Sequence, residues 1–164
     1  MNTDKNQSIA QYFTKVFLDK NIASLNKNYI EIPADKVATL KDVADNSYDS
    51  IILPFTLNQV FEYQDLVKES MRVLKPGGTV LAILTTIALT PLEHKVHWGF
   101  TSVAARYIFS QYFPKSTVEI EEFGNVLIGR YLLNEKPASG LTTEQLQYVD
   151  PYFPVIVGVK ATKS

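Results

Sequence analysis

The sequence contains no cysteine. That excludes disulfides, cysteine zinc sites, iron–sulfur clusters and a thiolate nucleophile, and it fits a reducing compartment such as the cytoplasm. Histidine occurs only as His94 and His97. Glycine is scarce, with 7 in the chain, and the first is Gly77. No stretch of about 18 apolar residues occurs, so nothing reads as a membrane span. Neither charge sign dominates: 16 Lys and Arg face 17 Asp and Glu, a net charge of −1. Nucleic-acid binding, which runs on an excess of Lys and Arg, is therefore not expected. Met1 to Asn6 is polar and has no apolar core of a signal peptide, which makes the cytoplasm the expected location. What remains is ordinary globular material: 164 residues, 46% apolar. That length suits a single domain over 1–164 with a core of its own.

The hydrophobic period changes several times along the chain. Residues 7–20 read as a helix with Ile9, Phe13, Val16 and Phe17 on one face. Asn28 to Ile32 reads as a short strand stopped by Pro33, and 34–48 as polar and irregular. Ser50 to Leu53 is a continuous apolar run, the mark of a strand covered on both faces. Tyr63 to Leu74 reads as a helix, Lys75-Pro76-Gly77-Gly78 as its stop, and Thr79 to Leu84 as a second buried strand. Strand, helix and strand over 50–84 make a βαβ unit. Further on, the spacing predicts a helix over 101–113 with Val103, Ala104, Tyr107 and Ile108 as its apolar stripe, a half-exposed strand over 117–123 and a helix over 125–133. A Thr142-x-x-Gln145 capping box and a final strand over 154–161 follow. Alternation of this kind implies an α/β layered fold. Most aromatics of the C-terminal half, among them Phe109, Phe113, Tyr148, Tyr152 and Phe153, are expected in the core.

Two strings carry more information than their periodicity. Asp45-Asn46-Ser47-Tyr48-Asp49 precedes the first buried strand, and Arg72-Val73-Leu74-Lys75-Pro76-Gly77-Gly78 precedes the second. Together, at this distance, they resemble the class I S-adenosyl-L-methionine (SAM)-dependent methyltransferases, in particular the small-molecule branch called type 11. Trp98-Gly99-Phe100-Thr101 is similar to a string ahead of a late helix in polysaccharide and lipid-linked members. The resemblance implies a partial Rossmann-like sheet. It would be mostly parallel, with an antiparallel C-terminal strand and helices on both faces. It also implies SAM as cofactor and a small-molecule methyl acceptor.

The family binds SAM on a glycine-rich loop after its first strand, where the backbone must approach the ligand closely. Nothing ahead of Gly77 can supply such a loop. The chain is therefore expected to lack the first nucleotide-binding half. It would be degenerate or incomplete for SAM binding on its own. The alternative is a non-catalytic regulatory or scaffolding module that homodimerises or binds an intact methyltransferase. A half-built sheet leaves an open edge, which the first helix, a second copy or a partner protein should cover.

By position outside a strand's carboxyl end, Pro54, Phe55 and Asn58 are candidate cofactor-binding residues. Asp35 joins them as the nearest acidic residue to the position that contacts adenine in the family. His94 and His97 are the candidate general bases toward an acceptor hydroxyl. Glu93-His94-Lys95-Val96-His97 is not the His-Glu-x-x-His zinc pattern, and no third ligand is in view, so no metal site is expected. Two solvent-facing histidines in a loop are the plainer reading of that string. Trp98 is expected to pack in the core or at a rim, and Glu119, Glu121 and Glu122 to form a solvated strand face.

Overall fold

The computed structural model describes residues 7–22, 28–87 and 96–164. Helix α1 (Ile9–Ile22) opens with a capping box. The Ser8 N–H donates to Gln11 Oε1 at 2.9 Å, and the Gln11 N–H donates to Ser8 Oγ at 3.2 Å. Strand β1 (Tyr29–Glu31) follows, then a 3₁₀ turn over Ala34–Asp42 where an irregular stretch is expected from sequence. Strand β2 (Tyr48–Pro54) leads through a four-residue helix α2 (Thr56–Gln59) to α3 (Tyr63–Val73) and β3 (Leu74–Thr85). The rest is α4 (Ser102–Phe109), β4 (Val118–Phe123), α5 (Val126–Leu133), α6 (Thr143–Gln147) and β5 (Ile156–Thr162). The Thr142–Gln145 capping box is formed.

The five strands lie in the order β1-β2-β3-β5-β4. β1, β2 and β3 pair in parallel, and β5 runs antiparallel to both its neighbours. One face of the sheet packs against the 3₁₀ turn, α2, α3 and α4, around Leu53, Val80, Phe109 and Val159. The other packs against α1 and α5, around Phe13, Phe17, Leu81 and Ile128. β2 and β3 are buried almost throughout because both faces are covered, which is why their sequences run apolar without alternation. α1 does not cover an edge: it lies over β3 and β5, and β1 stays terminal in the sheet.

Three details depart from the sequence reading. α4 turns Ala105, Ile108 and Phe109 inward and leaves Val103 and Tyr107 exposed. Tyr148, Tyr152 and Phe153 also face out. Lys75 to Gly78 forms a bulge within β3 rather than a turn ahead of it, since β2 advances from Tyr48 to Ser50 while β3 advances from Leu74 to Thr79.

That bulge is half of a brace. Asn46 and Ser47 N–H groups donate to the carbonyls of Arg72 (3.2 Å) and Val73 (2.7 Å). Arg72 donates to Asp45, Glu69 and the Leu40 and Val43 carbonyls, and the two carboxylates hold its guanidinium above its ordinary pKa. Lys75 pairs with Asp49 at 3.1 Å. Lys163, beyond β5, donates to Asn46 and to the Arg72 and Leu74 carbonyls. Gly77 sits at φ 78°, and a Cβ on Gly78 would lie 2.8 Å from the Lys75 carbonyl oxygen. The two strings thus interlock at the amino ends of β2 and β3.

α5 ends in a Schellman motif. The Lys136 N–H reaches the Tyr131 carbonyl (2.9 Å), and the Glu135 N–H reaches Leu132 (3.1 Å). Glu135 occupies the left-handed position at φ 51°, where a side chain is strained. Glu135→Gly is expected to raise stability by about 0.5–1 kcal/mol. A thermal melt that moves down instead would show Glu135 making a compensating contact.

Candidate functional site

Parallel strands gather their carboxyl ends at the end of the sheet opposite the brace, and ligands of open α/β sheets bind there. In this chain the loops concerned start at Ile32, Pro54 and Thr85. The Thr56 hydroxyl donates to the Ile32 carbonyl at 2.6 Å and ties the first two ends together. Phe55 leaves β2 in the left-handed region (φ 55°, ψ 15°), with its N–H on the Ile83 carbonyl at 2.8 Å. An aromatic residue rarely adopts that conformation, and such strain concentrates at working sites.

Phe55 forms a wall between two cavities. One, of about 560 Å³, lies between the first turn of α1 and the end of α5, lined by Gln11, Gln59, Thr85, Val96, Tyr131 and Lys136 among others. The other, of about 730 Å³, runs along the outer side of α1 from Gln11 to Ile22, and Pro54 and Phe55 close it. Thr14 lines this second cavity, and its buried hydroxyl has no hydrogen-bond partner among the described residues. Two strained residues, Phe55 and Glu135, line the first.

Asn58 is fully buried. Its amide donates to the Thr85 (3.0 Å) and Trp98 (2.8 Å) carbonyls, and its Oδ1 accepts from the Thr85 N–H (3.2 Å). Its own carbonyl accepts from the His97 (2.7 Å) and Trp98 (3.2 Å) N–H groups. Asn58 therefore straps 97–98 to the end of β3. The Phe100 N–H extends the strap to the Thr85 carbonyl at 3.0 Å. Gly99 makes room for it: a Cβ there would lie 2.4 Å from the Thr86 carbonyl oxygen. His97 stacks on Phe61, which is 67% exposed, at 3.9 Å between ring centroids. Trp98 packs at the rim, edge-on to Tyr63, with its indole N–H on the Val60 carbonyl at 3.0 Å.

The structure brings Pro54, Phe55, Asn58 and Val96 to one end of the sheet. Asp35 is exposed in the first turn of the 3₁₀ segment and lines neither cavity. His97 stands beside the first cavity without lining it. His94 lies outside the described residues. Among the described residues, no group of acidic or histidine side chains could hold a metal ion. Thr85, Gly99 and Tyr131 were not expected here. Only the Trp98-Gly99-Phe100 string carried any signal for them, because the close approach at Gly99 appears only when the chain is folded.

Residues 8–82 match the family described as a methyltransferase domain. That stretch runs from the cap of α1 to the middle of β3 and contains both interlocking strings of the brace. Over that stretch, which is under half of the chain, it is similar to methyltransferase domains. Among curated proteins, demethylmenaquinone methyltransferases of Staphylococcus epidermidis and Staphylococcus aureus are 31% and 30% identical over 108 residues, which is 58% of this chain. The chain spans only 44% of the length of each of these relatives. In structure it is similar to a SAM-dependent methyltransferase from Archaeoglobus fulgidus, with TM-score 0.60, 12% identity, and 93% and 94% of the two chains covered. The MccD protein gives TM-score 0.55 at 10% identity, with 97% and 100% covered. Both likenesses concern the fold: a Rossmann-like methyltransferase sheet, parallel apart from β5, with helices on both faces. No helix among the described residues is long and apolar enough to cross a membrane.

Proposed function

We propose that this chain is a methyltransferase-family domain that is incomplete for SAM binding on its own. One observation carries the reading. The strand ends where the backbone must approach a nucleotide lead into Pro33 and Phe55, and the sequence has no glycine ahead of Gly77. A phenylalanine in a left-handed turn puts a ring where a glycine would leave space. In a complete site the chain's own residues would divide the work. Phe55 would pack on a flat face of the cofactor and Pro54 would shape the groove. Asn58 would act as a positioning residue, holding 97–98 in place. Asp35, on the loop after β1, would reach the adenine side of the site. His97, and His94 near it in sequence, would take the proton from the hydroxyl of a small-molecule acceptor. The cofactor would supply the methyl group.

The test is calorimetric titration of the chain with S-adenosylhomocysteine to millimolar concentration. No saturable heat is the expected result. Saturation in the micromolar range overturns the reading, and Phe55→Ala then locates the site.

A second reading rests on the terminal position of β1 and on the groove along α1. β1 has no second neighbour among the described strands, and Thr14, whose buried hydroxyl has no hydrogen-bond partner among the described residues, lines the groove along α1. A regulatory or scaffolding module would use that side to hold a second copy or an intact methyltransferase. Sedimentation velocity at micromolar concentration separates these: a dimer supports self-association, and a monomer leaves the intact methyltransferase as the partner to test.

A further inference from the structure

We propose that a third cavity, on the far side of α5 from the first, is a ligand site for a planar apolar molecule that carries one anionic group. It holds about 490 Å³. α5 is the partition: Tyr131 and Leu132 line the first cavity, while Val126, Gly129, Arg130 and Leu133 line this one. The two cavities are thus distinct spaces at the same end of the sheet, and the proposal does not depend on methyl transfer.

Three observations carry it. The first is apolar exposure converging on one concavity. Tyr152 is 85% exposed, Phe153 60% and Val126 55%, and all three line the cavity together with Ile87. Scattered exposed apolar residues mean little, but rings gathered around a cavity mark a binding site.

The second is that these rings are held out by a braced turn. The Asp150 N–H donates to the Gly124 carbonyl (3.0 Å), and Asp150 accepts from the Tyr152 N–H on its side chain (2.9 Å) and the Phe153 N–H on its carbonyl (3.2 Å). The Thr86 hydroxyl fixes the Pro154 carbonyl at 2.9 Å. The floor is tight as well, since a Cβ on Gly129 would lie 3.1 Å from Ile87 Cδ1. A preorganised aromatic wall loses little freedom when a flat ligand stacks on it.

The third is charge. Arg130 lines the cavity and enters no ion pair among the described residues. A free guanidinium beside aromatic rings suits a carboxylate or sulfonate on a planar body. Glu122, the acidic residue of the lining, is likewise unpaired and would accept a hydrogen bond from an N–H or O–H of the ligand.

The probe is 1-anilinonaphthalene-8-sulfonate, which has the flat body, the anion and an N–H. Fluorescence titration of the whole chain is expected to saturate at one dye per chain, with indole-3-acetate displacing it. Arg130→Gln should weaken binding about tenfold, and Tyr152→Ala about threefold or more. Lys136→Gln, beside the first cavity, should leave affinity unchanged. Non-saturating fluorescence, unchanged affinity in Arg130→Gln, or displacement by S-adenosylhomocysteine would each overturn the proposal.

Discussion

Asn58→Ala is expected to destabilise the protein by about 3 kcal/mol. The side chain is fully buried and makes three hydrogen bonds to backbone groups of Thr85 and Trp98. Truncation leaves the Trp98 carbonyl and the Thr85 N–H without this partner and leaves the Thr85 carbonyl only the Phe100 N–H, and each buried orphan costs about 1–3 kcal/mol. Asn58→Asp should do no better, because it turns a carboxylate toward two carbonyl oxygens. Urea unfolding checks the magnitude, read as a fall in midpoint at constant slope. Trp98 is the sole tryptophan and reports the local event directly. Its indole N–H bond to Val60 depends on the same strap, so native-state emission should shift to the red in both variants. A loss under about 1 kcal/mol with unshifted emission would show that Gly99 and Phe100 hold the segment without Asn58.

Gly158→Ala should carry the second large cost. A Cβ at 158 would lie 2.5 Å from two ring carbons of Phe17, a fully buried side chain of α1. Neither side can yield easily: 158 is in the middle of β5, paired with Ile83 on one side and Glu121 on the other. The ring is enclosed by the core, edge-on to Phe123. Overpacking of this kind costs about 1–3 kcal/mol. The sharper expectation is the coupling. Phe17→Leu should cost stability alone yet recover part of the loss in the Gly158→Ala background. Strictly additive losses in a double-mutant cycle would mean that α1 shifts as a body instead of clashing through this ring.

The layered fold was legible because its signals are local. Continuous apolar runs marked β2 and β3 as doubly covered strands, and the Thr142–Gln145 capping box announced its helix. The 3₁₀ turn over Ala34–Asp42 was not legible, since its polar sequence has no helical stripe and Arg72 holds it from outside. α4 misled for a different reason. Val103 and Tyr107 share an apolar spacing with Ala104 and Ile108, and only the placement of α4 against β4 and β5 decides which go inward. At the candidate site, position outside a strand end pointed to Pro54 and Phe55 but could not foretell the left-handed turn at Phe55. Nor could it foretell that Asn58 would turn its amide to the backbone, which needs Thr85 and Trp98 brought together from distant sequence. His97 was picked by residue type and Asp35 by its nearness to the family's adenine-contacting position, and neither lines the cavities beside Phe55.

The interlock of Asp45–Asp49 with Arg72–Gly78 stands at one end of the sheet, and the cavities beside Phe55 stand at the other. The sheet separates what makes the chain recognisable from what it would act with. Changes among Phe55, Gln59 and Tyr131 would leave the interlock untouched, so likeness to methyltransferase domains and possession of their chemistry are free to part company. Likeness here rests in the foundation, and occupation has to be established at the opposite end.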